Sequence, residues 1–132
     1  MLKGYEYEFD ITELSECPYA LAKKNGIYIM RSREFEVALV AENGSLAAAL
    51  FTDFDGEEFT FDVAVAEEHR RKGLARKLVD YAIDRFEELR VMSDDIRFVV
   101  EVVSPMMEWI LDSMGFVVTR TLPDRVIMEF DT

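Results

Sequence analysis

One stretch of the chain gathers residue types that can do chemistry. It runs Asp62-Val63-Ala64-Val65-Ala66-Glu67-Glu68-His69-Arg70-Arg71-Lys72-Gly73-Leu74-Ala75-Arg76. The pattern predicts a strand, a short basic loop and a helix that opens at a glycine. The first turn of a helix leaves backbone N–H groups without partners, and the macrodipole makes that end electropositive. Gly73 lets a ligand approach the backbone closely, and Ala75 keeps the next turn uncrowded. Arg71, Lys72 and Arg76 add full positive charges. Together they suit a phosphate or pyrophosphate group. Positive charge at a helix start opposes the dipole, which a purely structural helix start would avoid. The stretch is not a P-loop, because no Gly-x-x-x-x-Gly-Lys-Ser/Thr occurs, and it lacks the three glycines of a dinucleotide fingerprint.

The elements around this stretch follow from periodicity. Tyr5, Tyr7 and Phe9 alternate with Glu6, Glu8 and Asp10, which predicts a strand with one wet face. Residues 12–25 read as irregular and partly helical, with Pro18 as a break. Phe35 to Ala41 and Leu46 to Thr52 flank Asn43-Gly44, the strongest short hairpin signal. After the turn at Asp53-Phe54-Asp55-Gly56, Glu58 to Ala66 is a third consecutive strand. From Gly73 to Arg90, Leu74, Leu78, Tyr81, Ala82, Phe86 and Leu89 recur at helical spacing. Ile96 to Val103 is a strand, and Pro105 sits where a helix would start. That helix stops at Gly115, and Trp109 and Met106, Met107 and Met114 are expected in the core. Phe116 to Thr121 and Val126 to Phe130 close the chain as strands around a turn at Leu122-Pro123-Asp124. The order β–(α)–β–β–β–α–β–α–β–β is a mixed α/β layer with a mainly antiparallel sheet.

Composition narrows the class. The 132 residues are 50% apolar and carry a net charge of −12, which suits one folded domain, taken as 1–132. Disorder is excluded by the apolar content, and duplex DNA binding by the acidity. The single cysteine, Cys17, makes no disulfide framework, and His69 is the only histidine, so no Cys/His metal site can form. The longest apolar run, Leu46 to Phe51, is far short of the ~20 residues a membrane span needs. With no secretory leader in view, the expected location is cytoplasmic. Residues 69–77 hold Arg70, Arg71, Lys72, Arg76 and Lys77 without one acid. A single basic spot on an acidic body fits a small anionic ligand better than a long polyanion.

Arg70-x-x-Gly73-x-Ala75 resembles the Arg/Gln-x-x-Gly-x-Gly/Ala motif of the GNAT N-acetyltransferase superfamily. The context sharpens the resemblance. The motif follows a strand containing Val63-x-Val65 and opens an amphipathic helix. Downstream, strand, helix and Met114-Gly115-Phe116 leading into a strand resemble the family's second signature region. Residues 35–130 match well and the first 34 more loosely.

The resemblance implies an acyl-CoA N-acyltransferase fold and acetyl-CoA, or another short acyl-CoA, as co-substrate in a V-shaped splay between the fourth and fifth strands. Main-chain groups of Val63 and Val65 would pair with the pantetheine arm. Backbone N–H groups from Arg71 through Lys72, Gly73, Leu74 and Ala75 to Arg76 would hold the pyrophosphate, with Arg71, Lys72 and Arg76 as side-chain partners and Arg70 in the first motif position. Catalysis in the family is direct attack of an amine on the thioester. An amine with pKa ~10.4 is neutral in only about one molecule in 2,500 at pH 7, so a base is needed. Asp62 and Glu58 share the strand face of Thr60 and Ala64 and are the candidates, with Asp62 nearer to Val63–Val65. A backbone N–H of Val63–Val65 would polarise the thioester carbonyl.

Two positions depart from the family. Leu111 stands where a tyrosine acid is common, and Ser104 where an asparagine follows the fifth strand. A thiolate of pKa ~8.5 leaves with little help, and Ser104 or water could donate a proton. Ser104 could equally cap the helix that begins at Pro105. The expected activity is acetyl transfer to a primary amine of a small molecule or protein. The alternative is a CoA-binding sensor or interaction module without catalysis, and a third reading is a plain nucleotide-phosphate binder. The acidic body favours a cationic acceptor. Residues 12–34 and 121–125 would shape its pocket, and neither carries a readable pattern. Strands near the C-terminus could pair two subunits into a homodimer. Neither nucleic acid nor membrane is an expected partner.

Overall fold

Gly44 turns the chain with φ of 86°, a conformation that costs a glycine nothing. The strands it joins are β2 (Glu34–Ala41) and β3 (Leu46–Phe54). They pair antiparallel from Glu34↔Thr52 to Val40↔Leu46, so the predicted hairpin forms. Asn43 lies outside the described residues, which are 7–10, 18–24, 34–41 and 44–130 of this computed structural model. Tyr5, Glu6 and Cys17 lie outside them too. The remaining elements are β1 (Tyr7–Asp10), α1 (Pro18–Lys24), β4 (Glu58–Val65), α2 (Leu74–Arg90), β5 (Arg97–Val102), α3 (Pro105–Ser113), β6 (Phe116–Thr121) and β7 (Val126–Phe130). Strand order is β1-β2-β3-β4-β5-β7-β6. The β1–β2, β2–β3, β5–β7 and β6–β7 pairs are antiparallel and β4–β5 is parallel, the mixed and mainly antiparallel sheet that was expected. No described helix is long and apolar enough to cross a membrane.

The chain divides into two compact units, one of Met1–Asp53 with Phe61–Ala82 and one of Phe54–Thr60 with Ile83–Thr132. In the first, Leu21 and Ala22 of α1 pack with Ala38, Leu46, Ala49, Phe51, Ala64 and Ala66. Every residue from Leu46 to Phe51 is buried, which explains why β3 reads as an unbroken apolar run rather than an alternation. Pro18 begins α1 instead of breaking it. A first-turn position needs no N–H, so the ring that would disrupt a helix interior is tolerated there.

The second unit is built on phenylalanines. Phe98 of β5 sits 4.9 Å from Phe59, 5.0 Å from Phe86 and 5.0 Å from Phe116, ring centre to ring centre. Phe130 adjoins Phe116 at 5.1 Å. Most of these pairs are edge-on or tilted, the arrangements that ring quadrupoles favour. β4 and β5 pair in parallel at Glu58↔Arg97 and Phe59↔Phe98. Ser104 caps α3 by accepting a hydrogen bond from the Met107 N–H at 3.3 Å, with Pro105 in the first turn. Leu111 is the buried residue of that helix. Trp109 and Met106, expected in the core, are instead 64% and 65% exposed. They lie three residues apart on the helix side away from Leu111, so their shared face is apolar but turned outward. Gly115 has φ of 103°, and a Cβ there would stand 3.2 Å from the Phe130 ring. The position therefore requires glycine for both reasons.

Arg97 ties three strands of this unit together. Its Nε and Nη2 donate to the two carboxylate oxygens of Glu129 at 3.0 and 2.7 Å, and Nη1 donates to Glu58 at 3.2 Å. The hydrogen bond from Arg97 holds the Glu129 carboxyl below the usual carboxylate range. The exposed Asp55 carboxyl is lowered as well, chiefly by the backbone N–H of Glu58 and then that of Glu57.

Two outcomes are expected. Phe98→Ala removes the ring at the centre of the aromatic cluster and should cost about 3–5 kcal/mol, read as a lowered urea midpoint at unchanged slope. A depressed carboxylate stabilises the fold above its unfolded pKa and loses that contribution as pH falls through its folded value. Arg97→Gln should therefore move the Glu129 titration, followed by carboxyl NMR, upward toward the ordinary range. An unmoved titration would show that Arg97 does not set it.

Candidate functional site

The stretch from Asp62 to Arg76 lies in the first unit. The end of β4 is tied to β3 by the Ala66 N–H, which donates to the Ala47 carbonyl at 2.8 Å. A short 3-10 turn, Glu67–His69, follows, with the His69 N–H donating back to Ala66 at 2.9 Å and the Arg70 N–H to Glu67 at 3.3 Å. The chain then takes two left-handed steps, Arg71 at φ 65° and Gly73 at φ 77°, on either side of Lys72. Glycine accepts this conformation freely, whereas an arginine is strained in it. Left-handed residues alternating with ordinary ones turn successive N–H groups to the same side, the concave arrangement that receives anions.

α2 starts directly from this loop. The Lys77 N–H donates to the Gly73 carbonyl at 3.1 Å, so Gly73 is the cap and offers no side chain to the first turn. The N–H groups of Leu74, Ala75 and Arg76 precede the first helical bond. The first turn holds no acid. Leu74 is buried and anchors the helix start, while Arg70, Arg71, Lys72, Gly73 and Arg76 are exposed. A Cβ at Gly73 would meet nothing within 4 Å, so the space above the loop is open. The segment thus brings together Arg70, Arg71, Lys72, Gly73, Leu74, Ala75 and Arg76 in one run of backbone.

On β4, Asp62 is half-buried and its Oδ2 is sealed from solvent. By the two-residue period it points to the face of Ala64 and Ala66, which belong to the cluster with Leu21 and Ala22. Val63 and Val65 are half-buried on the other face. Glu58 and Ser104 are in the second unit. Glu58 is engaged by Arg97, and the Ser104 hydroxyl is engaged as the cap of α3. Glu101 is exposed, 3.6 Å from Arg125. Sequence reasoning missed the left-handed Arg71. Nothing in a run of basic residues signals it, since the conformation is set by the loop that must turn β4 into α2.

No curated protein matches this chain in sequence. Among solved structures, the ribosomal-protein-S18-alanine N-acetyltransferase from Escherichia coli is similar over 96% of this chain and 95% of its own, with 20% identity and a TM-score of 0.66. A dodecameric spermidine N-acetyltransferase from Vibrio cholerae is similar over 95% and 92%, with 12% identity and a TM-score of 0.68. The GNAT domain of S. lividans PAT is 21% identical with a TM-score of 0.61, over 76% of this chain. This chain spans only 61% of that one. These likenesses show the fold. The family model described as Acetyltransferase (GNAT) family matches residues 5–99, which takes in β4, the basic loop and all of α2, and the chain belongs to the GNAT acetyltransferase family.

Proposed function

We propose that the protein is an acetyl-CoA-dependent N-acetyltransferase acting on a primary amine, in the cytoplasm. The observation that carries this reading is the loop from Arg70 to Arg76, with two left-handed residues, a glycine-capped helix start without acids and clustered cations. The pyrophosphate of acetyl-CoA would accept hydrogen bonds from N–H groups between Arg71 and Arg76 and ion-pair with Arg71, Lys72 and Arg76. Val63 and Val65 would present backbone groups to the pantetheine arm, as an added strand does.

Asp62 is the base in this reading. Its partly buried carboxylate takes a proton from the incoming ammonium, directly or through water, and the freed amine attacks the thioester carbon. A backbone N–H of Val63–Val65 stabilises the charge that develops on the carbonyl oxygen. The new C–N bond forms, the C–S bond breaks and the sulfur leaves as thiolate, which takes up the second proton shed by the nitrogen, directly or through water, to give the amide and free CoA thiol. Glu58 and Ser104 are weaker candidates, because Arg97 and the start of α3 already use them. The acceptor class is supported by the two neighbours that cover almost the whole chain, named for a ribosomal-protein alanine and for spermidine. A cationic amine also suits a chain of net charge −12. A second reading, a CoA-binding module without turnover, is favoured by Leu111, which fills its place in α3 as a buried aliphatic side chain.

Two variants test the reading. Gly73→Glu puts a negative charge into the open space above the loop and forces a side chain into φ 77°. It should abolish CoA binding while leaving the far-UV CD unchanged. The wild-type protein should gain about 2.7 kcal/mol of stability at 100 times the CoA Kd. Equal stabilisation of the variant, or stabilisation of the wild type by ATP and not by CoA, would place the site elsewhere. Asp62→Asn should slow acetylation by about 10²–10⁴-fold at unchanged CoA affinity, measured by thiol release across spermidine, lysine and an N-terminal-alanine peptide. Tight CoA binding with no thiol release from any amine would select the module reading.

A further inference from the structure

The last turn of α2 borders a cavity at the end of β7. Glu87, Arg90 and Val91 line it from the helix side and Phe130 from the strand, and its volume is about 450 Å³. That lies at the small end of the ~300–1,000 Å³ range of small-molecule pockets. Positions 87, 90 and 91 are spaced i, i+3 and i+4, so their side chains share one helix face. Phe130 stands edge-on to Phe86 at 6.0 Å, which joins the cavity wall to the aromatic cluster. Val91 is 88% exposed, so apolar surface beside the cavity is uncovered. All four lining residues belong to the second unit, whereas the loop from Arg70 to Arg76 belongs to the first.

The rim carries two opposite charges that do not meet. Glu87 and Arg90 are three residues apart, the spacing at which Arg85 and Glu88 of the same helix pair at 2.8 Å. Neither Glu87 nor Arg90 makes an ion pair among the described residues. Arg90 lies instead over the Phe86 ring, 5.7 Å from its centre. A guanidinium stacked on a ring keeps the N–H groups at its edge available to an acceptor. Glu87 is exposed and sits in the last helical turn, where unpaired C=O groups and the dipole already favour a cation.

We propose that this cavity binds a free α-amino acid with an aromatic or branched apolar side chain. A carboxylate alone would meet Arg90 but face the like charge of Glu87, and an amine alone would meet the reverse. A ligand that carries both charges close together satisfies both residues. Side chains at this helical spacing have Cβ atoms ~5–6 Å apart, near enough for one ammonium carboxylate to bridge them. The ligand carboxylate accepts parallel hydrogen bonds from the Arg90 guanidinium, and the ammonium donates to the Glu87 carboxylate. The ligand side chain covers Val91 and the Phe130 ring and so removes apolar surface from water. An aromatic side chain gains further from an edge-on or offset contact with Phe130. The inference does not rest on the proposed acetyl transfer, because none of its residues belongs to the loop or to β4.

Titration of the full chain with L-phenylalanine and L-leucine, followed by backbone amide NMR, tests it. Saturable shifts are expected at Glu87, Arg90, Val91 and Phe130, with a Kd of ~1 mM or tighter. N-acetylphenylalanine and phenylalanine amide each lack one of the two charges and should bind about tenfold more weakly. Glu87→Gln and Arg90→Gln should each weaken phenylalanine binding by about the same factor, and Arg90→Lys by less. Glu87 is exposed and makes no ion pair among the described residues, so Glu87→Gln should keep the wild-type far-UV CD. It carries the test even where Arg90→Gln, which loses the contact with Phe86, fails to fold. Absence of saturable shifts overturns the proposal, and so do single-charge analogues that bind as tightly as phenylalanine. Binding that Glu87→Gln leaves unchanged overturns it as well. Shifts confined to the loop and β4, the mark of an acceptor at the proposed transfer site, also overturn it.

Discussion

Like charge gathered at the positive end of a helix is the constraint on which the first unit's design turns. Arg71, Lys72 and Arg76 surround the start of α2, where the dipole already repels cations. Gly73 caps the helix without offering an oxygen, and Arg71 accepts a strained φ. Each choice lowers the stability of the isolated chain, and a serine or aspartate cap would have avoided the loss. Under the proposed function, an anion with several oxygens in the loop would offset all of them. A first turn without an acid, a strained arginine and clustered cations at one place are what the proposed ligand reading rests on.

The loop is anchored at one end by a backbone hydrogen bond and at the other by apolar burial. Ala66 is tied to β3, and Leu74 is buried on the other side of the loop. Small side chains, Ala38, Ala49, Ala64 and Ala66, let α1 approach the strands closely in the first unit. The second unit solves its packing with rings centred on Phe98. Among the described residues no polar or charged side chain is fully buried, so both cores are stabilised by apolar burial alone. Charge is kept for surfaces, where it can act on ligands and partners.

Local features of the sequence were legible and non-local ones were not. The α2 periodicity, the hairpin at Gly44, the start of α3 at Pro105 and its end before Gly115 depend on neighbours a few residues apart, and all appear within a residue or two of expectation. The motif Arg70-x-x-Gly73-x-Ala75 was legible for the same reason. The insertion of β7 between β5 and β6 was not, since order in a sheet is decided by long-range packing. Glu58 looked like a candidate base because nothing nearby in sequence revealed Arg97, 39 positions away. Trp109 and Met106 misled because an apolar pair at helical spacing identifies a face but not what covers it.

The exposed pair on α3 and the engaged Glu58 sharpen the chemistry by subtraction. With Leu111 buried, α3 offers no acid at the position a tyrosine often takes in the family. With Glu58 held by Arg97, β4 offers one carboxylate next to Val63–Val65, that of Asp62. Its Oδ2 is closed to solvent. The leaving thiolate needs less help than the attacking ammonium, by the difference between pKa values of ~8.5 and ~10.4. The proposed reading, with Asp62 as base and no assigned acid, is thus chemically consistent, because the proton that must be moved at neutral pH is the one on the amine.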